Sequence, residues 1–223
     1  MEIFSYVITA LAAYLLGSIP TGYLVAKAKG IDIRSVGSGN IGATNVFRIL
    51  GKPAGIFVLL ADAAKGFLAV WLVPTLVLKG VSAQAHSAAG IEAFLRIHEA
   101  HAILAGVAAI LGHNYTCFLK FKGGKGIATT AGVLIALAPS AFLVVLIIFI
   151  LVVAVSRYIS LGSIAAALCL PFAVWFFRGS KTMIIVMAAL GALAIYKHKA
   201  NIGRLLNGTE NKFGKKKTQE TPK

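Results

Sequence analysis

The sequence predicts an all-α integral membrane protein whose bundle crosses the bilayer seven times, and three observations support this fold class. The chain of 223 residues is 58% hydrophobic and only 13% charged, whereas soluble domains carry roughly 25% charged residues. Several apolar runs reach the roughly 20 residues that a helix needs to cross about 30 Å of hydrocarbon. Lys and Arg concentrate in alternate connections between these runs, as they do in the cytoplasmic loops of membrane proteins.

The first three apolar runs differ in length. Residues 3–26 and residues 55–78 are each long enough for one ordinary crossing. Residues 100–111 are shorter and predict a short or tilted helix. The stretch before them, residues 80–98, is predicted to be an external loop with a possible amphipathic piece, and its role is not assigned.

The later apolar runs predict four further helices, some of them short. Residues 127–155 are too long for one crossing, and Pro139 near their middle favours a break, because the residue before a proline disfavours helical geometry. This run therefore predicts two short helices. Residues 161–177 and 183–196 supply the last two.

The positive-inside rule orients the chain. Three polar segments, residues 34–48, 112–126 and 197–212, carry nine of the 22 Lys and Arg residues, and putting these segments inside leaves only Lys79, Arg96, Arg178 and Lys181 outside. Placing all three in the cytoplasm predicts an external N-terminus and a cytoplasmic C-terminus. Four short crossings between the second and third segments satisfy this arrangement, and two longer ones would as well, so a five-helix chain is the alternative. Residues 1–213 are predicted to form a single membrane domain, followed by a basic, disordered tail at residues 214–223.

Composition also excludes some classes of function. The formal net charge of +15 fits cytoplasmic loops beside anionic lipid, and no basic face interleaved with aromatic residues indicates nucleic acid. The two cysteines, Cys117 and Cys169, predict neither a disulfide framework nor a metal site. His86, His98 and His101 lack the i, i+4 spacing of a helical metal pair. We therefore expect no metal and no cofactor.

The first polar segment, RSVGSGNIGATNVFR at residues 34–48, is rich in glycine and in small polar side chains. Glycines let backbone N–H groups approach an anion, and Arg48 adds a planar, permanently charged fork. The neutral candidate donors are Ser38, Asn40, Thr44 and Asn45. The segment predicts a phosphate cradle, and the alternative is a glycine-rich turn followed by an interfacial Arg anchor.

The second polar segment, GHNYTCFLKFKGGKG at residues 112–126, places Gly123, Gly124 and Lys125 directly before an apolar helix. Free N–H groups and the helix dipole make such a helix N-terminus an anion site. The segment lacks the Walker A pattern, because Gly126 stands where Ser or Thr should follow the Lys, so ATP hydrolysis is not expected. The alternative is a basic membrane anchor with a flexible turn.

Four other residues carry titratable or nucleophilic groups. His113 is a candidate general base, since an unperturbed imidazole titrates near pH 6.5, and the alternative is a structural hydrogen-bonding role at a helix end. Cys117 is expected to pack rather than react. Asp62 and Lys65, three residues apart within the second apolar run, predict a paired, bundle-facing charge that braces the site.

The third polar segment, KHKANIGRLLNGTENK at residues 197–212, contains His198 and Asn201 three residues apart, on one face if the segment is helical. Glu210 is surrounded by basic residues and is expected to orient a Lys or Arg. The alternative is an interfacial amphipathic segment without a binding role.

Together the three segments resemble the bacterial acyl-phosphate:glycerol-3-phosphate acyltransferases of the PlsY type. The resemblance rests on GSGNIGATNVFR, GHNYTCFLKFKGGKGIAT and HKANIGRLLNGTENK in the family's order, and it spans roughly residues 6–213. The sequence RYISLGSI at residues 157–164 is similar to a further family element that carries Ser163. The departures are a longer stretch near residues 80–98 and the lysine-rich tail.

The resemblance implies transfer of a fatty acyl group from acyl-phosphate to the 1-hydroxyl of glycerol 3-phosphate, giving lysophosphatidic acid and phosphate for phospholipid biosynthesis. It implies a multi-pass protein of the bacterial cytoplasmic (inner) membrane, bound by membrane lipid, whose site faces the cytoplasm. No oligomeric state or acyl-chain preference is assigned.

The resemblance also implies roles for particular residues. Arg48 and Lys125 would bind phosphate, and Ser38, Ser163, Asn201 and His198 would position glycerol 3-phosphate. Backbone N–H groups around Gly123 and Gly124 would neutralise the leaving phosphate or the acyl oxyanion. His198, His113 or a substrate phosphate oxygen would accept the hydroxyl proton. The rival functions are a transporter for a small organic phosphate and a structural scaffold at the lipid surface.

Overall fold

The structure is a computed structural model that describes residues 2–79, 87–177 and 179–214. Within these ranges the chain forms helices joined by turns, without any strand. In chain order the α-helices are α1 Glu2–Ser18, α2 Thr21–Lys27, α3 Ala43–Leu50, α4 Lys52–Val77, α5 Ala88–Asn114, α6 Ile127–Leu137, α7 Pro139–Ser156, α8 Ile159–Phe176, α9 Lys181–Lys197 and α10 Lys199–Leu206.

Length and apolar composition define the membrane spans of the described chain. Five helical segments qualify: Ile3–Lys27, Lys52–Val77, Ala89–Leu119, Pro139–Ser156 and Ile159–Phe176. A sixth is counted if α9 and α10, which bend by 56° at their junction, form one span. The helix α6 is apolar but has only 11 residues. The chain is therefore a multi-pass, all-helical membrane protein, and seven crossings stay a prediction.

The break between α6 and α7 confirms the prediction made from Pro139. Helix α6 ends at Leu137, and α7 begins at Pro139. The intervening Ala138 has φ −150° and ψ 66°, which lies outside the helical region. Its position before a proline explains this geometry, because the proline ring clashes with a helical conformation of the preceding residue.

The prediction of an external loop at residues 80–98 and of a short helix at residues 100–111 is wrong for the described part of this stretch. Helix α5 has 27 residues and begins at Ala88, while residues 80–86 lie outside the described residues. Ser87 caps the helix, since its side chain accepts a hydrogen bond of 3.1 Å from the N–H of Gly90. Glu92 and Arg96 form an ion pair one turn apart. Charged residues thus extend the helix beyond its apolar part.

The chain divides into two compact units, Met1–Pro139 and Ser140–Lys223. In the first unit α1 packs along α5, and α4 packs along α6. Glycines allow these contacts, because a Cβ at Gly17 would overlap the backbone of Ala109 and a Cβ at Gly132 would overlap that of Ala63. Gly66 meets the backbone of Thr129 in the same way. Small residues of this kind permit close helix packing in membranes.

An apolar cluster in the first unit anchors the segment between α2 and α3. It contains Ile33 and Ile41, from the two ends of that segment, together with Val46 and Val58 from α3 and α4. Leu119, which precedes the second glycine-rich turn, belongs to the same cluster. The two polar segments of the first unit therefore share one hydrophobic support.

In the second unit α8 packs on α9, and α9 bends into α10. Large apolar side chains such as Ile147, Leu151, Phe172 and Trp175 are more than half exposed. Such a surface fits contact with lipid, whose chains are as apolar as the protein interior. The tail was predicted at residues 214–223, and all of it except Gly214 lies outside the described residues. The prediction of a single domain over residues 1–213 stays a prediction.

Candidate active site

The first polar segment forms a loop, residues 33–42, that is shaped by Asn45 from α3. The amide oxygen of Asn45 accepts a hydrogen bond of 2.9 Å from the N–H of Ser38. Its amide nitrogen donates to the carbonyl oxygens of Ile33 at 3.2 Å and Val36 at 3.1 Å. Asn45 is 1% exposed, and both N–H groups of its side chain donate to carbonyls of the loop. The expectation that Asn45 donates to a substrate is therefore wrong. Asn45 instead holds this first loop together.

Two glycines of the first loop adopt left-handed backbone geometry. Gly37 has φ +64° and Gly39 has φ +69°, values that only glycine adopts readily. A Cβ at Gly37 would also meet the amide oxygen of Asn45. With this backbone, the side chains of Ser38 and Arg48 are exposed, and the remaining candidates Asn40 and Thr44 are half-buried.

The first polar segment contains two arginines, Arg34 in the first loop and Arg48 in α3. Arg34 donates to both carboxylate oxygens of Asp32, with the shortest N–O distance at 2.6 Å. Its guanidinium also lies 4.9 Å from the centre of the Tyr23 ring. These hydrogen bonds from Arg34 lower the pKa of Asp32 to about 2. The charge of Arg34 is thus paired with Asp32, and phosphate binding by Arg48 stays a prediction.

The second polar segment folds back onto the end of α5. The N–H of Gly124 donates to the carbonyl of His113 at 3.0 Å, and the N–H of Gly123 donates to the carbonyl of Asn114 at 3.2 Å. The N–H groups of Gly123 and Gly124 are therefore used within the chain, so the predicted anion site among the N–H groups around them depends on the neighbouring residues. The two acceptors are carbonyls of the chain itself, which fix the conformation of this glycine turn, residues 123–126.

The N-terminus of α6 offers other N–H groups for an anion. Gly126 caps the helix at φ 79°, and the first helical bond runs from the N–H of Thr130 to the carbonyl of Gly126, at 2.7 Å. The N–H groups of Ile127 and Ala128 precede that bond and have no acceptor within the helix. Lys125 lies half-buried at the same end. The predicted arrangement of a glycine turn leading into an apolar helix is confirmed.

A buried charged group lies beneath the glycine turn. The ammonium of Lys65 is 2.8 Å from a carboxylate oxygen of Asp62, which confirms the predicted pair. The imidazole Nδ1 of His113 lies 3.7 Å from the same oxygen. The His113 side chain is only 4% exposed, and it packs directly against Gly124. The contacts with Asp62 and Gly124 favour the structural role for His113 over the role of general base.

In the second unit the carboxylate of Glu210 accepts hydrogen bonds from three side chains. One carboxylate oxygen accepts from the amide of Asn201 at 2.8 Å and from the hydroxyl of Ser160 at 3.0 Å. The other accepts from the guanidinium of Arg204 at 2.7 Å. This confirms that Glu210 orients an arginine. Ser160 was missed from sequence, because a single serine near the start of an apolar helix carries no distinguishing signal.

The hydrogen bonds to Glu210 also set its ionisation. Burial raises the pKa of this carboxyl, but the hydrogen bonds from Arg204, Asn201 and Ser160 outweigh burial and lower the pKa below its ordinary value. Glu210 is therefore a carboxylate at neutral pH. Because a carboxylate only accepts hydrogen bonds, it orients the amide of Asn201 with its nitrogen toward Glu210.

His198 lies at the junction of α9 and α10 and is 3% exposed. It caps both helices, which bend by 56° here, and Asn201 lies in the first turn of α10 after this cap. The Nδ1 atom lies 2.7 Å from the carbonyl oxygen of Ala194. Since a carbonyl oxygen only accepts, Nδ1 carries the proton and Nε2 is the basic nitrogen of this ring.

Ser163 and the end of the third polar segment are held at the start of α8. The hydroxyl of Ser163 donates to the carbonyl of Ile159 at 3.0 Å, within the helix. The N–H of Phe213 donates to the carbonyl of Arg157 at 2.7 Å. Arg157 itself has φ 64°, an uncommon value for a residue with a side chain. The chain that follows Glu210 is thereby attached to the residues that precede Ser163.

The structure thus brings together some candidates in each unit. In the first unit Ser38 contacts Asn45, and in the second Asn201 contacts Glu210. Among the residues that the structure describes, no group of three or more His, Cys, Asp or Glu side chains is placed to hold a metal ion.

Comparison with known proteins covers almost all of this chain. A sequence model of the family described as "Glycerol-3-phosphate acyltransferase" matches residues 7–208. A relative from Geotalea daltonii, named glycerol-3-phosphate acyltransferase, is 45% identical over 209 residues, which cover 94% of this chain and 98% of the relative.

Two solved structures are similar to the whole fold. The crystal structure of PlsY (YgiH), an integral membrane glycerol 3-phosphate acyltransferase, in its glycerol 3-phosphate form is 38% identical with a TM-score of 0.79, covering 94% of this chain and 96% of that one. The lysophosphatidic acid form is 37% identical with a TM-score of 0.76, covering 96% and 95%. The family's sequence model, which matches residues 7–208, covers the first loop and the glycine turn. It also covers the third polar segment except for its last four residues, 209–212.

Proposed function

The chain belongs to the glycerol-3-phosphate acyltransferase family, and from this membership we propose that it transfers a fatty acyl group from acyl-phosphate to the 1-hydroxyl of glycerol 3-phosphate. The products are lysophosphatidic acid and inorganic phosphate, and the reaction serves phospholipid biosynthesis. The observation that carries the proposal is the family match over residues 7–208, which contains both glycine-rich anion segments. The substrate and product forms of the similar PlsY structures support the acceptor and the product.

The reaction needs no metal or covalent intermediate. The 1-hydroxyl oxygen attacks the acyl carbonyl carbon, the bond between that carbon and the phosphate oxygen breaks, and the hydroxyl proton leaves to a base. Acyl-phosphate is already activated by a good leaving group, so the chain has to bind, orient and neutralise charge rather than supply a nucleophile. Both substrates carry phosphate, which accounts for more than one cationic segment.

The first unit supplies phosphate binding in this proposal. Arg48 and Lys125 bind substrate phosphate, and Ser38, Asn40 and Thr44 add neutral donors. The N-terminus of α6, which follows Gly123 and Gly124 in the chain, stabilises the leaving phosphate or acyl oxyanion, because its first N–H groups have no acceptor within the helix. Removing one donor of this kind typically lowers the rate by about 10² to 10³.

Glycerol 3-phosphate is positioned in this proposal by Ser38, Ser163, Asn201 and His198. Asn201 is oriented by Glu210, and Ser163 lies at the start of α8. His198 presents Nε2 as its basic nitrogen, which supports it over His113 as the protein group that accepts the hydroxyl proton. A substrate phosphate oxygen is the other acceptor.

We further propose that the protein lies in the bacterial cytoplasmic membrane with its N-terminus outside and its site at the cytoplasmic face. The distribution of Lys and Arg supports this orientation. The acyl chain can then stay in the bilayer while soluble glycerol 3-phosphate approaches from the cytoplasm.

The donor is tested by product formation with detergent-purified protein. Glycerol 3-phosphate is supplied separately with palmitoyl-phosphate, palmitoyl-CoA or palmitoyl-acyl-carrier protein, and Lys125→Ala is the control. Lysophosphatidic acid from palmitoyl-phosphate alone, lost in the variant, is the expected result. Product from a thioester instead would overturn the donor assignment. Absence of product in every mixture, together with counterflow of labelled glycerol 3-phosphate in vesicles, would replace the enzyme by a transporter.

A further inference from the structure

The first unit contains a buried charged cluster, defined as Asp62, Lys65 and His113, that the acyl transfer described above does not use directly. The side chains of Asp62 and Lys65 are 2% and 6% exposed, and their charged atoms are 2.8 Å apart. Charges inside a membrane protein are unfavourable unless paired, and they usually mark function. The contacts of this cluster show what it holds.

On one side the cluster reaches the chain that leads into the first loop. The ammonium of Lys65 donates at 2.8 Å to the carbonyl oxygen of Ile19, at the break between α1 and α2. The next residue, Pro20, interrupts the helix. Helix α2 then packs onto the first loop, since a Cβ at Gly22 would overlap the carbonyl of Ile41. Lys65 therefore fixes the origin of α2 and, through α2, the first loop.

On the other side the cluster reaches the glycine turn. The imidazole of His113 lies within 3.7 Å of the Asp62 carboxylate and packs against Gly124, where a Cβ would overlap the ring. The carbonyl of His113 accepts the hydrogen bond from the N–H of Gly124 at 3.0 Å. His113 thus connects Asp62 to the glycine turn, both through its imidazole ring and through its backbone carbonyl.

We propose that Asp62, Lys65 and His113 form a positioning cluster that sets the first loop and the glycine turn at a fixed separation and orientation. The proposal rests on the proposed function in one respect, because the purpose of this geometry is to place Arg48 and Lys125 around substrate phosphate. The apolar cluster with Leu119 already holds the two segments together, but apolar contact is non-directional. The charged cluster adds fixed directions and distances.

Stability alone does not explain the cluster. Replacing a buried ion pair by apolar or neutral residues of similar size is often neutral or stabilising, whereas removing one partner leaves an unpaired buried charge. The double variant Asp62→Asn with Lys65→Met removes both charges with little change of volume. We expect it to stay folded with an unfolding temperature lowered by only a few degrees, because the Ile19 carbonyl also loses its donor. We expect kcat to fall about 10- to 100-fold, because a misplacement of about 1 Å can reduce turnover about 10²-fold.

The matched control is another ion pair of the first unit. Glu92 and Arg96 form an exposed pair on α5, 17 residues or more before His113, which at 1.5 Å per residue is roughly 25 Å away. The double variant Glu92→Gln with Arg96→Met should retain the kcat and KM of the wild type. A double variant of Asp62 and Lys65 that remains folded and also retains both constants would overturn the positioning role.

A second readout is independent of activity and of the proposed reaction. Spin labels are placed at Ser35→Cys and Lys122→Cys, both exposed positions, after Cys117 and Cys169 are changed to Ser. The distance distribution between the labels should broaden or shift in the double variant. If that variant does not fold, His113→Phe, which keeps a ring against Gly124 and removes both nitrogens, is measured in its place. An unchanged distribution in the measured variant would overturn the proposal, even if the wild type made no lysophosphatidic acid.

Discussion

The substitution Glu210→Gln tests how the second unit holds Asn201. In the wild type one oxygen of Glu210 accepts from Asn201 and Ser160, and the other accepts from Arg204. A glutamine of the same shape keeps one acceptor oxygen and places an NH₂ group at the other position. If its oxygen faces Asn201, its NH₂ group faces the N–H of Arg204, so two donors oppose each other. If the amide is reversed, Asn201 loses its acceptor.

The magnitude follows from the bonds that are lost. A hydrogen bond to a charged group contributes about 1.5–3 kcal/mol. The Arg204 side chain is 34% exposed, so water partly replaces the lost partner and the low end, about 1.5 kcal/mol, applies. Displacement of the Asn201 amide affects the reaction more, since misplacement of a positioning group by about 1 Å can reduce turnover about 10²-fold. We therefore expect a small loss of stability and a large loss of kcat.

The dependence on pH separates the charge from the shape. The folded-state pKa of Glu210 is lowered, so its stabilising contribution is present above the ordinary value of 4.5 and is lost as pH falls through the lowered folded pKa. The wild type should therefore unfold at a higher temperature than Glu210→Gln at pH 7. The two unfolding temperatures should converge as the pH falls from 4.5 through the lowered folded-state pKa.

The assay measures lysophosphatidic acid formation and thermal unfolding of the purified protein. Glu210→Asp, which keeps the charge but shortens the side chain, is the companion variant and should retain more stability at pH 7 than Glu210→Gln. A Glu210→Gln variant with wild-type kcat, or a stability difference that does not shrink as the pH falls below 4.5, would refute this account of the network.

Three further predictions concern the first unit. Lys125→Ala should lower kcat/KM about 10²- to 10³-fold, whereas Lys122→Ala, at an exposed neighbouring lysine, should lower it by less than about fivefold. Steady-state kinetics of both variants measure this difference, and equal losses would contradict the prediction. Gly124→Ala should lower the unfolding temperature by several degrees, because its Cβ overlaps an imidazole ring, while Gly203→Ala, whose Cβ meets nothing within 4 Å, should change it little or raise it slightly; calorimetry that ranks them the other way would contradict the packing argument. Asn45→Ala removes three hydrogen bonds of the first loop and should increase proteolysis within residues 33–42, and an unchanged cleavage rate would contradict its role.

Features that depend on local geometry could be predicted from the sequence. The break at Pro139 follows from the sterics of one residue pair, and the pairing of Asp62 with Lys65 follows from their spacing on a helix. The extension of α5 to Ala88 could not be predicted from apolar length, because Ser87 and the Glu92–Arg96 pair stabilise helix by capping and charge instead.

Features that depend on how the chain folds back were predicted less well. The amino-acid sequence of the second segment does not indicate that the N–H groups of Gly123 and Gly124 donate to the carbonyls at the end of α5. Likewise, Asn45 reads as a donor in a polar segment until its three partners in the first loop are known. Sequence supplies the donor types, and only the tertiary structure determines which donors a substrate can use.

The glycine contacts between the helices of the first unit have a consequence for motion. At Gly17, Gly66 and Gly132 the backbone of one helix lies against the backbone of its neighbour without an intervening side chain. Side chains normally act as adjustable spacers that let helices slide or rotate, and these contacts have none. We expect the amides of α1, α4 and α6 near these glycines to exchange with solvent deuterium only slowly. Motions of the first unit that admit substrate and release product would then leave the packing of α1 on α5 and of α4 on α6 unchanged.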